Sequence, residues 1–308
     1  MRIAVFGAGG VGGYYGGRLA LAGFEVHLIA RGPHLAALRS NGLRVHSVRG
    51  DFRVEASATD DPGEIGPCDV VLFCVKAYDT ATAAARLGPL LREGTAVVSL
   101  QNGVDNEERL AGLIGWHHVL GGAAYILAEI DQPGVIAHTG GPASLAFGEF
   151  DGARSQRVSA LAAACAEAGI PCELPSDIRV ALWSKYALIC AVSGMTAATR
   201  MPIGEIRSTR ASLDLFRSLV VETVAVGRAT GVDLPDAIVE AQLRLASGLP
   251  FEARSSLYHD LVNGHRMELE ALHGTLVRIA CAHGVPVPAA IAVYALLAPW
   301  AAKFDGSA

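Results

Sequence analysis

Three groups of residues in this 308-residue chain have types and spacings that can do chemistry. The first is Gly7-Ala8-Gly9-Gly10-Val11-Gly12, a Gly-x-Gly-x-x-Gly run between the apolar Ile3-Ala4-Val5-Phe6 and a helical stretch. In that setting Gly7 makes a tight turn and Gly9 lets the backbone approach a pyrophosphate. Gly12 lets helix and strand pack closely, and the helix N-terminus faces the anion. Gly10 belongs to the same turn and counts with it as a dinucleotide-binding residue. The second group is the lysines: of 25 basic residues only Lys76, Lys185 and Lys303 are lysine, the rest arginine. A desolvated lysine can give up a proton and an arginine cannot. Lys185 is the only charge between Val180 and Thr199, and its helical neighbours Ala181, Leu182, Leu188 and Ile189 are apolar. Such a lysine either snorkels to water or faces a cleft, where it donates a proton and polarises a carbonyl. The third group is Glu268 and Glu270, in a stretch expected to be helical from about 265. At about 100° per residue Glu268 lies on the side of Leu272 and Ile279, and Glu270 lies about 160° from Leu272. Glu268 is therefore the inward carboxylate and needs a partner.

The end of the second strand sets the choice of dinucleotide. Enzymes that use NAD place an acid there for the ribose 2′-hydroxyl, whereas this chain reads Leu28-Ile29-Ala30-Arg31. A guanidinium holds a 2′-phosphate in its fork, so NADPH is favoured over NADH. Two further loops, Val75-Lys76-Ala77 and Gln101-Asn102-Gly103, follow apolar strands and point to the same sheet edge. Lys76 and Asn102 either bond ribose, phosphate or substrate there, or serve as a solvated loop charge and a plain turn.

These residues need elements to position them. Up to residue 174, short apolar runs alternate with helical stretches: strands at Ile3–Phe6, Val26–Ala30, Val70–Val75 and Ala96–Leu100, helices at Val11–Ala22, Pro33–Ser40 and Thr80–Leu91. That alternation predicts α/β architecture, a Rossmann-type dinucleotide-binding domain with a mostly parallel sheet. Residues 119 to 147 read as several short strands with glycine turns. From residue 175 strand signals vanish, and long helical stretches predict an all-helical C-terminal domain over 175–308 that carries substrate and catalytic groups. A cleft between the two is the default ligand site.

Composition removes other classes. Lys plus Arg is 25 and Asp plus Glu is 30, a net charge of −5, which argues against a nucleic-acid partner. Residues 284 to 302 are uncharged but hold Pro286, Pro288 and Pro299 and much alanine, a packed helix rather than a membrane span. No secretory signal core precedes the first glycines. The six cysteines form no Cys-x-x-Cys pair and read as core residues of a reducing compartment, so a cytoplasmic location and no metal site are expected.

The ordered set of motifs resembles the ketopantoate reductase family, the 2-dehydropantoate 2-reductases of pantothenate biosynthesis. It comprises Gly7-x-Gly9-x-x-Gly12, Arg31, Lys76-Ala77-Tyr78 and Gln101-Asn102-Gly103. It continues with Leu182-Trp183-Ser184-Lys185, Ser255-Ser256, Glu268 and Ala282-His283-Gly284-Val285-Pro286. The resemblance implies NADPH-dependent reduction of a 2-oxo acid, with Lys185 as general acid and Glu268 as the carboxylate that positions substrate or cofactor. It implies that Ser256 contacts substrate and that Asn102 lines the cofactor–substrate junction. Where the family often carries asparagines, this chain has Ile189, Ser193 and Ile203. Ser193 retains one hydroxyl as a substrate contact; isoleucine offers none. The expected partner is a small 2-oxo acid, and a homodimer is compatible with this reading. Two alternatives stay open: a reductase of a more apolar 2-oxo acid, and a non-catalytic NADPH-binding protein.

Overall fold

The computed structural model describes residues 1–304. The chain divides into two compact units. The first comprises Met1–Gln101 and Asn106–Ile178; the second comprises Asn102–Asp105 and the chain from Arg179 onward.

The first unit is built as β1 (Arg2–Phe6), α1 (Gly10–Leu21), β2 (Glu25–Ile29), α2 (Gly32–Asn41), β3 (Leu43–Ser47), β4 (Phe52–Val54) and β5 (Ser57–Thr59). It continues with β6 (Val70–Phe73), α3 (Thr80–Ala84), β7 (Ala96–Ser99), α4 (Asn106–Ile114), β8 (Val119–Gln132), β9 (Val135–Gly148), α5 (Gln156–Glu167) and β10 (Cys172–Glu173). The strand order is β4-β3-β9-β8-β7-β6-β1-β2-β5, with β10 beside β9. All pairings are parallel except β3–β4 and β8–β9. Every residue of β6 (Val-Val-Leu-Phe) and β7 (Ala-Val-Val-Ser) is buried, as in strands covered on both faces. Alternate side chains supply two cores. Ile3, Val5, Leu72 and Val98 pack with Tyr15 and Leu19 of α1, while Ala4, Phe6, Phe73 and Val97 pack with Ala83, Leu87 and Leu110.

Two expectations are corrected here. Residues 119 to 147 form one hairpin of two 14-residue strands, not several short ones. Their register shifts between Tyr125 and Leu127 and again between Ile130 and Gln132, so bulges take the place of breaks. The helix expected over Thr80–Leu91 ends at Ala84, and Gly88-Pro89-Leu90 forms a separate 3₁₀ turn. Proline and glycine there cannot extend the helix. Strands β3 to β5 were not expected at all.

The second unit is helix and loop throughout its described residues: α6 (Ile178–Thr199), α7 (Ile203–Ser208), α8 (Arg210–Ala229), α9 (Ile238–Gly248), α10 (Ser256–Val262), α11 (Thr275–Ala282) and α12 (Pro288–Phe304). A π turn, Glu270–Gly274, leads into α11. The helix expected from about 265 thus begins at Leu269, and residues 265–268 lie in the loop before it. Tyr186, Ala187, Cys190, Ala191 and Met195 of α6 pack with Phe216, Leu219 and Val220 of α8 and with Leu272, Leu276 and Val293. Helix α6 is the one helix among the described residues long and apolar enough to cross a membrane, and 61% of its apolar window is buried in this core. Glu222 of α8 ties the bundle to α12. Its two carboxylate oxygens accept from the N–H groups of Ala289 and Ala290 at 2.9 and 2.8 Å, an anion on a helix N-terminus.

Candidate active site

The glycine turn is fixed by what its missing side chains would strike. Gly7 has φ +100°, and a Cβ there would lie 2.9 Å from Val75 N. A Cβ on Gly12 would clash with the Gly7 carbonyl oxygen, and one on Gly10 with the Ala128 carbonyl oxygen. Gly9 differs: nothing lies within 4 Å of its Cβ position, so its backbone is open to a ligand. The turn is anchored to β2, since the N–H groups of Gly7 and Ala8 both donate to the Ile29 carbonyl at 3.1 and 3.0 Å. His34 supports it from α2. Its Nδ1 accepts from the Gly134 N–H at 3.1 Å, which leaves Nε2–H to donate to the Ala8 carbonyl at 2.8 Å. Burial lowers the His34 pKa and keeps the ring neutral in that role.

The open turn faces a cavity of about 270 Å³ lined by Gly7, Gly9, Arg31, His34, Val75, Asp79 and Arg86, among others. Arg31 is 72% exposed and donates to Asp79 at 2.8 Å. Arg86 also lines the cavity and donates to the Asp60 carbonyl at 2.6 Å. The charged side chains of the lining are thus two guanidinium groups and one carboxylate, a formal +1 that suits an anionic ligand. A larger cavity, about 380 Å³ near α7 to α9, is lined by Arg207, Arg210 and Arg217. Its arginines are engaged, as Arg31 and Arg86 are in the first cavity. Arg207 donates to the Ser247 and Leu249 carbonyls, Arg210 pairs with Asp214, and Arg217 pairs with Glu240. The fingerprint cavity, unlike this one, is lined by the glycine turn.

Lys76 is half-buried directly before the 3₁₀ turn Ala77–Asp79. Gln101 holds the loop that contains it. This buried amide donates to the Val75 carbonyl at 2.9 Å and to Thr80 Oγ1 at 2.8 Å, while Thr80 donates to the Ala77 carbonyl. Asn102 follows immediately but belongs to the second unit.

Within the second unit, Lys185 is half-buried on α6. The next residue, Tyr186, donates its hydroxyl to the Leu272 carbonyl in the π turn. That bond sets the Lys185 segment beside the segment that carries Glu268, one turn before Leu272. Glu268 is 8% exposed, while Glu270 is exposed and accepts from Tyr294 at 2.6 Å. Ser193 is buried; its hydroxyl lies 3.4 Å from both the Cys190 carbonyl and His273 Nε2. Burial pushes His273 down to about 4, so the ring is neutral near pH 7. Ser256 is exposed in the first turn of α10, whose N-cap Ser255 bonds Thr196 of α6 at 2.8 Å. The cavity thus gathers Gly7, Gly9 and Arg31 in the first unit. The second unit holds Lys185, Glu268, Ser193, Ser256 and Asn102. Sequence reasoning missed His34, Asp79 and Arg86; an Arg31–Asp79 pair 48 positions apart leaves no local signal.

The contrast between Gly9 and Gly12 is testable. Gly9→Ala should leave the melting temperature within about 1 °C, because its Cβ meets open space, yet weaken dinucleotide binding by about tenfold or more. Gly12→Ala should lower both, because its Cβ meets backbone. Calorimetric titration with NADPH and thermal unfolding of the two variants check this; equal thermal losses would remove the assignment of Gly9.

The ketopantoate reductase PanE/ApbA profile matches residues 3–152, and its C-terminal companion matches residues 177–300. The chain is 34% identical to the 2-dehydropantoate 2-reductase of Halobacterium salinarum, over 94% of this chain and 95% of that protein. It is 31% identical to the oxidoreductase YkpB of Bacillus subtilis, over 98% and 100%. The crystal structure of a PanE/ApbA family ketopantoate reductase from Ralstonia eutropha JMP134 superposes with a TM-score of 0.91 at 39% identity, covering 99% of this chain and all of that one. With both halves of the family profile matched in order, the chain belongs to the ketopantoate reductase family of dinucleotide-binding oxidoreductases.

Proposed function

We propose that this protein reduces a 2-oxo acid to the 2-hydroxy acid with NADPH, and that 2-dehydropantoate, reduced to pantoate for pantothenate synthesis in the cytoplasm, is its substrate. One observation carries the reading. Lys185, one of three lysines, stands half-buried on α6, beside the Tyr186–Leu272 bond that joins its segment to the segment of buried Glu268. A sensor of NADPH needs neither group, which disfavours the non-catalytic alternative.

Bound NADPH supplies the hydride, and the balance is ketone plus hydride plus one proton to alcohol. The chain's own residues do the rest. Lys185 Nζ–H⁺ donates to the ketone oxygen, stabilises the charge that grows there and gives up its proton as the alkoxide forms. Glu268 accepts from substrate or cofactor and orients it, and Asn102 and Ser256 offer further bonds to the substrate. Gly7, Gly9, Gly10 and Gly12 let backbone N–H groups hold the pyrophosphate. Arg31, helped by Arg86 of the same cavity, takes the 2′-phosphate, for which the Arg31–Asp79 pair must open or shift, and Lys76 bonds ribose, phosphate or substrate.

Lys185→Ala should cut kcat by about 10² to 10⁴ with little change in NADPH affinity. Lys185→Arg should also be poor, because guanidinium retains its proton. An arginine variant of near-normal kcat in a NADPH-oxidation assay over a panel of 2-oxo acids would reduce Lys185 to an electrostatic anchor.

Cofactor choice has its own test. Arg31→Ala should raise the KM for NADPH by about tenfold or more and leave that for NADH nearly unchanged. Asp79→Asn removes the competing carboxylate and should move NADPH the other way. Equal losses for both dinucleotides in Arg31→Ala would remove the 2′-phosphate assignment.

A second substrate reading, a more apolar 2-oxo acid, is favoured by half-buried Ile189 on the α6 turn after Lys185. Ile203 does not bear on it, being wholly buried in the core. A site that bonds a hydroxyl rejects the analogue without it, because its own groups are left unpaired. Without such groups, 2-oxo-3,3-dimethylbutanoate should approach 2-dehydropantoate in kcat/KM, and Ile189→Asn should restore preference for the hydroxylated substrate. A strong preference for 2-dehydropantoate in the unmodified protein would instead assign its hydroxyl to Ser256 or another donor.

A further inference from the structure

The segment Asn102–Asp105 follows the β7 strand of the first unit but is part of the second. Its attachment there is specific. Val104 packs against the apolar core of the second unit. Asp105 is 9% exposed, and its Oδ2 accepts from Arg278 Nη2 at 2.7 Å and from Thr275 Oγ1 at 3.2 Å. The same Arg278 nitrogen donates to Thr275 Oγ1 at 3.0 Å, so the three groups close a triangle. Thr275 and Arg278 stand three positions apart on α11, on one helix face. Asp105 Oδ1 has no hydrogen-bond partner among the described residues, so the Oδ2 side alone answers this buried charge. Between Asn102 and Asp105 the chain passes through Gly103 at φ +130°, a conformation other residues rarely take. Anchoring Asp105 therefore fixes the path of the three residues before it.

We propose that the Asp105–Thr275–Arg278 clasp is a positioning device. It holds Asn102 in one frame with Glu268, whose segment continues through the π turn into α11, and with Lys185, whose neighbour Tyr186 bonds that turn. The groups that meet the substrate then keep a common geometry. The proposal rests on the 2-oxo acid reading for the use of that geometry, but the clasp itself can be measured without it.

Arg278 is the place to test it, since its side chain is 64% exposed and its removal costs little packing. In the full-length protein without ligand, Arg278→Ala should speed hydrogen exchange at the amides of residues 102 to 105 by about tenfold. It should lower kcat on the best 2-oxo acid by about tenfold while the KM for NADPH stays within about twofold. Arg278→Lys, which keeps a cation in reach of Asp105, should recover most of both. Unchanged exchange in Arg278→Ala would overturn the clasp. Faster exchange with undiminished kcat would overturn its positioning role, as would a loss confined to the KM for NADPH. If the unmodified protein reduces no 2-oxo acid, the proposed reaction fails, and the exchange ratio still decides the clasp.

Discussion

The first unit depends on a close approach of backbone to backbone. Helix α1 can lie on β1 and β8 only because Gly12 presents no Cβ to the Gly7 carbonyl and Gly10 none to Ala128. That contact aims the α1 N-terminus, with its unbonded N–H groups and positive end, at the open side of Gly9. The rest follows from keeping the turn in place. Both N–H groups that could leave it, at Gly7 and Ala8, are bound by Ile29. The Ala8 carbonyl is held by His34, which Gly134 orients in turn. A turn this constrained loses little entropy on taking up an anion, and the two guanidinium groups at its rim supply attraction without having to be precise.

The second unit handles polarity differently. Its core is apolar, and several of the buried polar groups in it dock one segment on another: Tyr186 on the π turn, Thr196 on Ser255, Thr275 on Asp105. A buried group left unbonded is costly, so each of these pairs restricts the packing to one arrangement. The arginine-rich composition works the same way at the surface. Arg207 reaches the carbonyls of Ser247 and Leu249 at the end of α9, a task its several fixed N–H donors suit better than a lysine ammonium.

How much of this could be read from residues alone depended on range. The glycine turn, β1, β2, β6 and β7 were legible because turn, strand and helix follow each other within a few positions. Glu268 is buried as expected, but it directly precedes the helix instead of standing within one, and the π turn interrupts the period from which its side was read. The hairpin was not. Its glycines look like breaks, but Gly121 and Gly122 are there because Ile178 and the Ser99 carbonyl approach them closely, and only Gly134 turns the chain. Strands β4 and β5 have three residues each, too few for a pattern. His34 and Arg278 were invisible for another reason. Their partners Gly134 and Asp105 lie 100 and 173 positions away, and no local rule links residues at that distance. The lysine content was informative in the opposite way, as a property of the whole chain that singled out two positions.

The π turn at Glu270–Gly274 holds one residue more than an α-helix of the same rise would need. The extra residue is taken up within the turn, so the residues on either side keep the helical phase they would have without it. Removing one residue from 270–274 would return ordinary bonding while displacing the Leu272 carbonyl, which Tyr186 bonds. An alignment of such chains must therefore place a one-residue gap inside this turn, because a gap on either side of it would pair Glu268 with the wrong residue.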